Sequence, residues 1–300
     1  MRVLLCGWPK SGTTFLFARL QETLGLAEDG LHGNQFFEPR PAVEWPKDAL
    51  VKALLVDPVS TTQDLYEPFE GWTTAEAMEQ GSLFDVKILL LRDPRDRCIS
   101  SFFYRWLYLH APDPHRFRRA MRWIQHKELF PSDVDFTFAA FPCPKERQKW
   151  RLDMAERLHR LDEMIVGAKE KGWVVIRYED LLAGQWGSIE RALGRAVITR
   201  GTQSKNFNHI VRSRGSESWR KWFTAQDVAV LTPIFQPYLV KWGYETSDVS
   251  WPIDPLPTLN PSEGSVYMYG LFHHENGPYA LPKPLWGRLK NQIKAWLGRT

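Results

Sequence analysis

Lys10, Ser11, Gly12, Thr13 and Thr14 follow one another directly behind Gly7-Trp8-Pro9. One full positive charge, three hydroxyls and a glycine without a Cβ suit an anion, above all a phosphate. The flanking residues supply the elements to position them. Val3 to Cys6 is an apolar run that reads as a short buried strand, broken by Gly7 and Pro9. From Phe15 onward, Leu16, Leu20 and Leu24 recur at helical spacing. Strand, glycine loop and helix turn the loop N–H groups and the positive helix end toward one anion.

A second set lies farther on. Asp85 to Leu91 is the clearest strand, and it runs into Arg92-Asp93-Pro94-Arg95-Asp96, with Ser100 eight residues after Arg92. Asp93 suits a helix cap, Pro94 its first turn and Asp96 the positive end of its dipole. Arg92 at the strand end and Ser100 on the helix can converge on one phosphate, a forked charged donor beside a hydroxyl. Lys52 to Val56 reads as another strand ending at Asp57, and Trp173 to Ile176 as a fourth with its exit at Tyr178. Strands alternating with helical patterns predict an α/β fold: one domain with a central parallel sheet of about five strands and helices on both faces. Ligands of such sheets sit beyond the carboxyl ends of the strands, so Gly12, Asp57 and Arg92 are expected along one rim.

Gly7 and Gly12 have the spacing of the nucleotide-triphosphatase loop, but Thr13 stands where that loop has its lysine, and Lys10 lies two positions before the glycine. Pro9 to Thr14, P-K-S-G-T-T, instead resembles the 5′-phosphosulfate loop of sulfotransferases that use 3′-phosphoadenosine-5′-phosphosulfate (PAPS). The Arg92–Ser100 segment resembles their 3′-phosphate-binding segment, and Arg177-Tyr178-Glu179-Asp180-Leu181 their R-Y-E-D-L run. Arg212 to Thr224 resembles their late R-K-G…G-x-W-K-x-x-F-T loop.

The resemblance implies transfer of a sulfuryl group to an acceptor hydroxyl, leaving 3′,5′-adenosine bisphosphate, with no metal required. It assigns Lys10, Ser11, Gly12, Thr13 and Thr14 to the phosphosulfate, Arg92 and Ser100 to the 3′-phosphate, and Tyr178 to the adenosine. Phe15 stands where the family often has a tryptophan beside the adenine. The late loop fits in two registers, through Arg212 or through Arg214-Gly215. For the base that accepts the acceptor's proton, the resemblance points first to Glu38, in Gln-Phe-Phe-Glu-Pro-Arg; Asp57, at a strand end on the expected rim, comes second and His32 third. Two other readings stand beside it: a P-loop nucleotide kinase, and a binding protein that keeps the nucleotide and has lost the base.

The rest of the 300 residues bounds these readings. A net charge of +4 is too small to argue for nucleic acid and agrees with an anionic ligand. Cys6, Cys98 and Cys143 form neither a disulfide framework nor a metal-ligand spacing. No apolar run approaches a membrane span, and the start does not read as a signal peptide, so the expectation is a soluble, cytoplasmic chain. Residues 1–244 are expected to form the transferase domain and 245–300 an extension wrapping it. Leu285 to Leu297 reads as a basic amphipathic helix, for a peripheral membrane contact or for docking on its own domain. Pro114 to Leu129, basic and aromatic, fits an acceptor lid or a solvated helix. By analogy the acceptor is a carbohydrate, glycolipid or small metabolite; the oligomeric state is left open.

Overall fold

The computed structural model describes residues 1–26, 34–42, 44–56, 71–108, 114–140, 143–199, 215–245, 251–254 and 260–273. Five strands form one all-parallel sheet in the order β2-β3-β1-β4-β5: β1 Arg2–Gly7, β2 Gln35–Phe37, β3 Ala49–Leu54, β4 Val86–Leu91 and β5 Val174–Arg177. Between and after them come α1 Thr13–Thr23, α2 Thr74–Gln80, α3 Pro94–Tyr108, α4 Pro114–Leu129, α5 Phe136–Ala140, α6 Pro144–Glu170, α7 Tyr178–Leu182, α8 Gly187–Leu193, α9 Trp219–Trp222, α10 Ala225–Lys241 and α11 Ser265–Phe272.

The period-2 alternation of the strands sorts the core into two layers. Val3 and Leu5 of β1 and Ile88 and Leu90 of β4 pack against Leu16, Phe17 and Leu20 of α1 and Ile189 of α8. Leu4, Cys6, Leu89 and Leu91 point the other way, into a layer with Ile99 and Phe102 of α3, Met154, Leu158 and Ile165 of α6, and Leu231 and Phe235 of α10. Trp150, Met154, Leu158, Leu161, Ile165 and Ala168 form one stripe of α6 and are all buried. β1 and β4 are therefore covered on both sides, as the apolar runs Val3–Cys6 and Ile88–Leu91 require.

Two sequence expectations are corrected. Glu28 to Pro46, with two glycines and several prolines, reads from sequence as a loop-rich stretch, yet Gln35–Phe37 within it pairs with β3 through Gln35↔Leu50, Phe36↔Val51 and Phe37↔Lys52. Three residues are too few to show a period, and only the neighbouring strand's edge makes them a strand. β3 itself starts at Ala49 and ends at Leu54, three and two residues earlier than its expected bounds. Leu55 already leaves the ladder for an isolated bridge to Trp72.

Buried charges fix the layer opposite α1. Arg95 donates to Asp93 (Nη2–Oδ2 2.6 Å) and to Glu245 (Nη1–Oε1 2.7 Å), with its guanidinium 3.9 Å from the Trp219 ring centre. Asp227 accepts from the N–H groups of Phe136 (2.7 Å), Thr137 (2.8 Å) and Thr224 (3.0 Å), joining α5 to α10. Thr224 caps α10 in a reciprocal box with Asp227. Beyond Tyr244, Trp251 enters the same core, and Phe272 of α11 stacks on Phe117 of α4 at 3.6 Å. The segment 285–297 lies outside the described residues. No helix among the described residues is long and apolar enough to cross a membrane.

Candidate functional site

The chain leaves β1 and β4, which are neighbours, toward opposite faces: α1 packs in one layer and α3 in the other. The crevice between two such departures, at the carboxyl ends of the strands, is where open α/β sheets accept ligands. Residues 8–12 occupy its β1 side and Arg92 its β4 side.

The loop is built by backbone necessity. Lys10 has φ 69° and Gly12 φ 91°, both left-handed. Ser11 is buried and its N–H donates to the Trp8 carbonyl at 3.1 Å. The first helical backbone bond runs from Leu16 to the Gly12 carbonyl, and no side chain caps α1. The amides of Thr13, Thr14 and Phe15 thus point out of the helix end without a partner there, the usual donors for an anion.

The residues of the second set close around this turn. Arg92 donates from Nη1 to the Lys10 carbonyl at 2.9 Å, while its buried Nε has no hydrogen-bond partner. Its guanidinium lies 5.0 Å from the Tyr178 ring centre. Tyr178, buried at the exit of β5, packs on Gly12, where a Cβ would come within 2.7 Å of its Cε2. Phe15 meets the Tyr178 ring edge-on at 5.9 Å and the Trp186 ring at 6.2 Å. The Lys10 ammonium lies 3.3 Å from the centre of the Tyr104 ring, on α3 one turn beyond half-buried Ser100. Lys10, Gly12, Phe15, Arg92 and Tyr178, separated by up to 168 positions, form one cluster.

No family model and no curated protein matches the chain. The site therefore has to be read from its own chemistry. A Gly12→Ala change tests its tightest contact. At φ 91°, against the Tyr178 ring, it should cost about 1–3 kcal/mol and displace the ring that walls the loop. Urea unfolding reads the stability, and the variant should also lose any stabilisation by adenosine bisphosphate.

Glu38 lies on the same rim but apart from this cluster. It follows β2, two strands from β1, which is about 10 Å at the usual strand spacing. Its N–H donates to the Lys52 carbonyl at 2.7 Å, and its carboxylate accepts from the Lys52 ammonium. Lys52 is 1% exposed, with its ammonium 3.7 Å from the Phe37 ring centre. Burial lowers the pKa of Lys52, and the Glu38 charge opposes that. Glu38 sits at φ 55°, a left-handed backbone directly after the last residue of β2.

Of the remaining expectations, Gly215 is exposed with open space around it. His32, Asp57, Arg212 and Arg214 lie outside the described residues. Asp96, read as a dipole partner, has a larger task. Fully buried, it accepts from the Glu217 N–H (2.6 Å), Ser218 Oγ (2.8 Å) and the Trp219 N–H (3.1 Å), so it ties the end of the late loop to the first turn of α3. Trp219 and Phe223, two matches of the late-loop resemblance, are core residues.

Sequence reasoning passed over Lys52, Tyr104 and Glu179. A single lysine inside the apolar run Ala49–Leu54 was a signal for the first, and the i,i+4 spacing from Ser100 for the second. Glu179 follows Tyr178; its Oε1 accepts the Asp93 N–H at 3.0 Å, and its buried Oε2 has no hydrogen-bond partner. Burial pushes its carboxyl up from 4.5 to about 7. The folded chain then holds a proton that the unfolded chain releases. This contribution to stability is complete below about 4.5, falls as pH rises toward about 7, and is level above that. Glu179→Gln should remove the slope and stabilise the protein at pH 8 by on the order of 1–3 kcal/mol, with little change at pH 4. Urea unfolding across that range checks it.

Proposed function

We propose that this chain is a PAPS-dependent sulfotransferase that moves a sulfuryl group to a hydroxyl of a carbohydrate, glycolipid or small metabolite. The observation that carries the reading is the uncapped start of α1 behind a loop of two left-handed residues, flanked by Lys10 and by Arg92 with its unpartnered buried Nε. Donors converging there from two strand ends fit a ligand with two separated phosphates.

In this reading the amides at the start of α1 and the Lys10 ammonium hold the 5′-phosphate and stabilise the charge it gains as the sulfur–oxygen bond to it breaks. Lys10 leaves the Tyr104 ring to do so. Arg92 and Ser100 hold the 3′-phosphate, and Phe15 and Tyr178 offer aromatic surface to the adenine. Glu38 takes the acceptor's proton as the new oxygen–sulfur bond forms in line. Lys52 is a positioning residue, holding the Glu38 carboxylate at the rim.

The test incubates the protein with PAPS bearing labelled sulfate and a panel of sugars, glycolipids and phenols. Label on a hydroxyl with equimolar release of adenosine bisphosphate is the expected result. Adenosine bisphosphate binding without transfer to any acceptor would favour the binding-protein reading.

A further inference from the structure

Behind the loop that follows β1 lies a cavity of about 10 Å³, the space of one water molecule. Its lining comes from five parts of the fold: Ser11 on the loop, Arg92 at the end of β4, Arg97 of α3, Leu158 and Leu161 of α6, and Tyr238 of α10. Arg97 is engaged elsewhere, with Nη2 3.7 Å from Met154 Sδ and its guanidinium 4.3 Å from the Trp8 ring centre.

Two residues of this lining carry orphaned polar atoms. Arg92 Nε and Tyr238 Oη are both buried without a hydrogen-bond partner among the described residues. Tyr238 as a whole is 5% exposed. A buried donor left unsatisfied costs more than a made bond contributes, and ordered water is the usual partner where a polar site has room for it. Burial pushes the Tyr238 phenol up, so it keeps its proton and can donate. Tyr244 supplies a contrast. Its Oη is orphaned too, and its ring stacks on Tyr238 at 6.2 Å, but it does not belong to the described lining.

We propose that one water molecule binds in this cavity and bridges Tyr238 Oη to Arg92 Nε, making Tyr238 a positioning residue for the Arg92 guanidinium. The water accepts from both donors and gives a hydrogen of its own to the Ser11 hydroxyl. Arg92 is then held at three places: Nη1 on the Lys10 carbonyl at 2.9 Å, the guanidinium beside the Tyr178 ring, and Nε on the water. A planar fork fixed in this way offers Nη2 to an anion in one orientation. α10, otherwise a core helix, thereby acts on the crevice through water, as bridged groups do at nearly the strength of a direct bond. That Arg92 receives a 3′-phosphate rests on the sulfuryl-transfer reading; the bridge itself does not.

The arginine Nε–H signals of the full chain, read by nuclear magnetic resonance, test both halves without any ligand. The Arg92 signal is identified by its loss in Arg92→Ala. In the wild type it should exchange slowly and show a cross-peak to a long-lived water. Tyr238→Phe should remove the cross-peak, speed the exchange and lower the Nε order parameter, while Tyr244→Phe should leave all three as they are. Tyr238→Phe should also raise the unfolding equilibrium constant by about three- to tenfold, the worth of one hydrogen bond, whereas deleting a hydroxyl that bonds to nothing would leave it level or lower it. Nucleotide titration then reads the consequence: Tyr238→Phe should weaken 3′,5′-adenosine bisphosphate by about three- to tenfold and leave adenosine 5′-monophosphate unchanged. The inference is overturned if the wild-type Arg92 signal shows no water, if Tyr244→Phe perturbs it as much as Tyr238→Phe, or if Tyr238→Phe is as stable as the wild type. Equal weakening of both nucleotides, or of neither, would remove the positioning role. A wild type that binds neither nucleotide would sink the sulfuryl-transfer reading instead, and the Arg92 exchange and order parameter would still decide the inference.

Discussion

Replacing Lys10 by alanine should lower kcat/KM for sulfuryl transfer by about 10²–10³ while leaving the fold almost untouched, the range seen when one preorganised donor to a developing oxyanion is removed. The two effects separate because of where Lys10 sits. Its backbone is left-handed at φ 69°, a conformation that alanine finds no easier or harder than lysine does. The interaction of its ammonium with the Tyr104 ring is worth about 0.5–1 kcal/mol when exposed to solvent. Melting temperature should therefore move little and turnover greatly. Lys10→Arg should recover only part of the loss, since a planar fork does not replace a compact ammonium in a turn fixed by Arg92 and Tyr178. Steady-state kinetics with a thermal melt on each variant checks both halves.

Glu38→Gln should lower turnover by about 10²–10⁴, the span of a lost general base, with donor binding kept. Here stability does change. The neutral amide would leave the Lys52 ammonium buried without a counter-charge, and breaking such a pair costs about 3–5 kcal/mol. Activity lost through a loosened β2–β3 edge would look the same in the single variant. Adding Lys52→Met separates them, because it removes the orphaned charge with little change in volume. If Glu38 is the base, the double variant regains stability and stays inactive. Recovery of turnover in the double variant would reduce Glu38 to an edge-strand residue and move the search to Asp57 and His32.

What could be read from sequence follows the range over which each signal acts. β1 and β4 lie inside the sheet, so Val3–Cys6 and Ile88–Leu91 must be apolar on both faces, and Gly7 and Arg92 mark their ends. α6 declares itself by a stripe sustained from Trp150 to Ala168. β2 is an edge strand of three residues held by its neighbour, which no local pattern reveals. The cluster of Lys10, Gly12, Arg92 and Tyr178 was legible because each member follows a strand end, and parallel strands bring their ends together. The Glu38–Lys52 pair was not, because it depends on cross-strand register: Phe37 opposite Lys52 puts the next residue beside the ammonium. Asp96 looked like a helix-start carboxylate, and its three donors from residues 217–219 appear only when the late loop folds back.

The most direct test of the central claim is thermal stabilisation by 3′,5′-adenosine bisphosphate without metal, set against ATP with magnesium, in wild type and Arg92→Ala. A ligand that binds only the folded chain raises its melting temperature with its affinity. The account predicts stabilisation by the bisphosphate alone, reduced in Arg92→Ala. A preference for magnesium-ATP, or indifference to the bisphosphate, would contradict it.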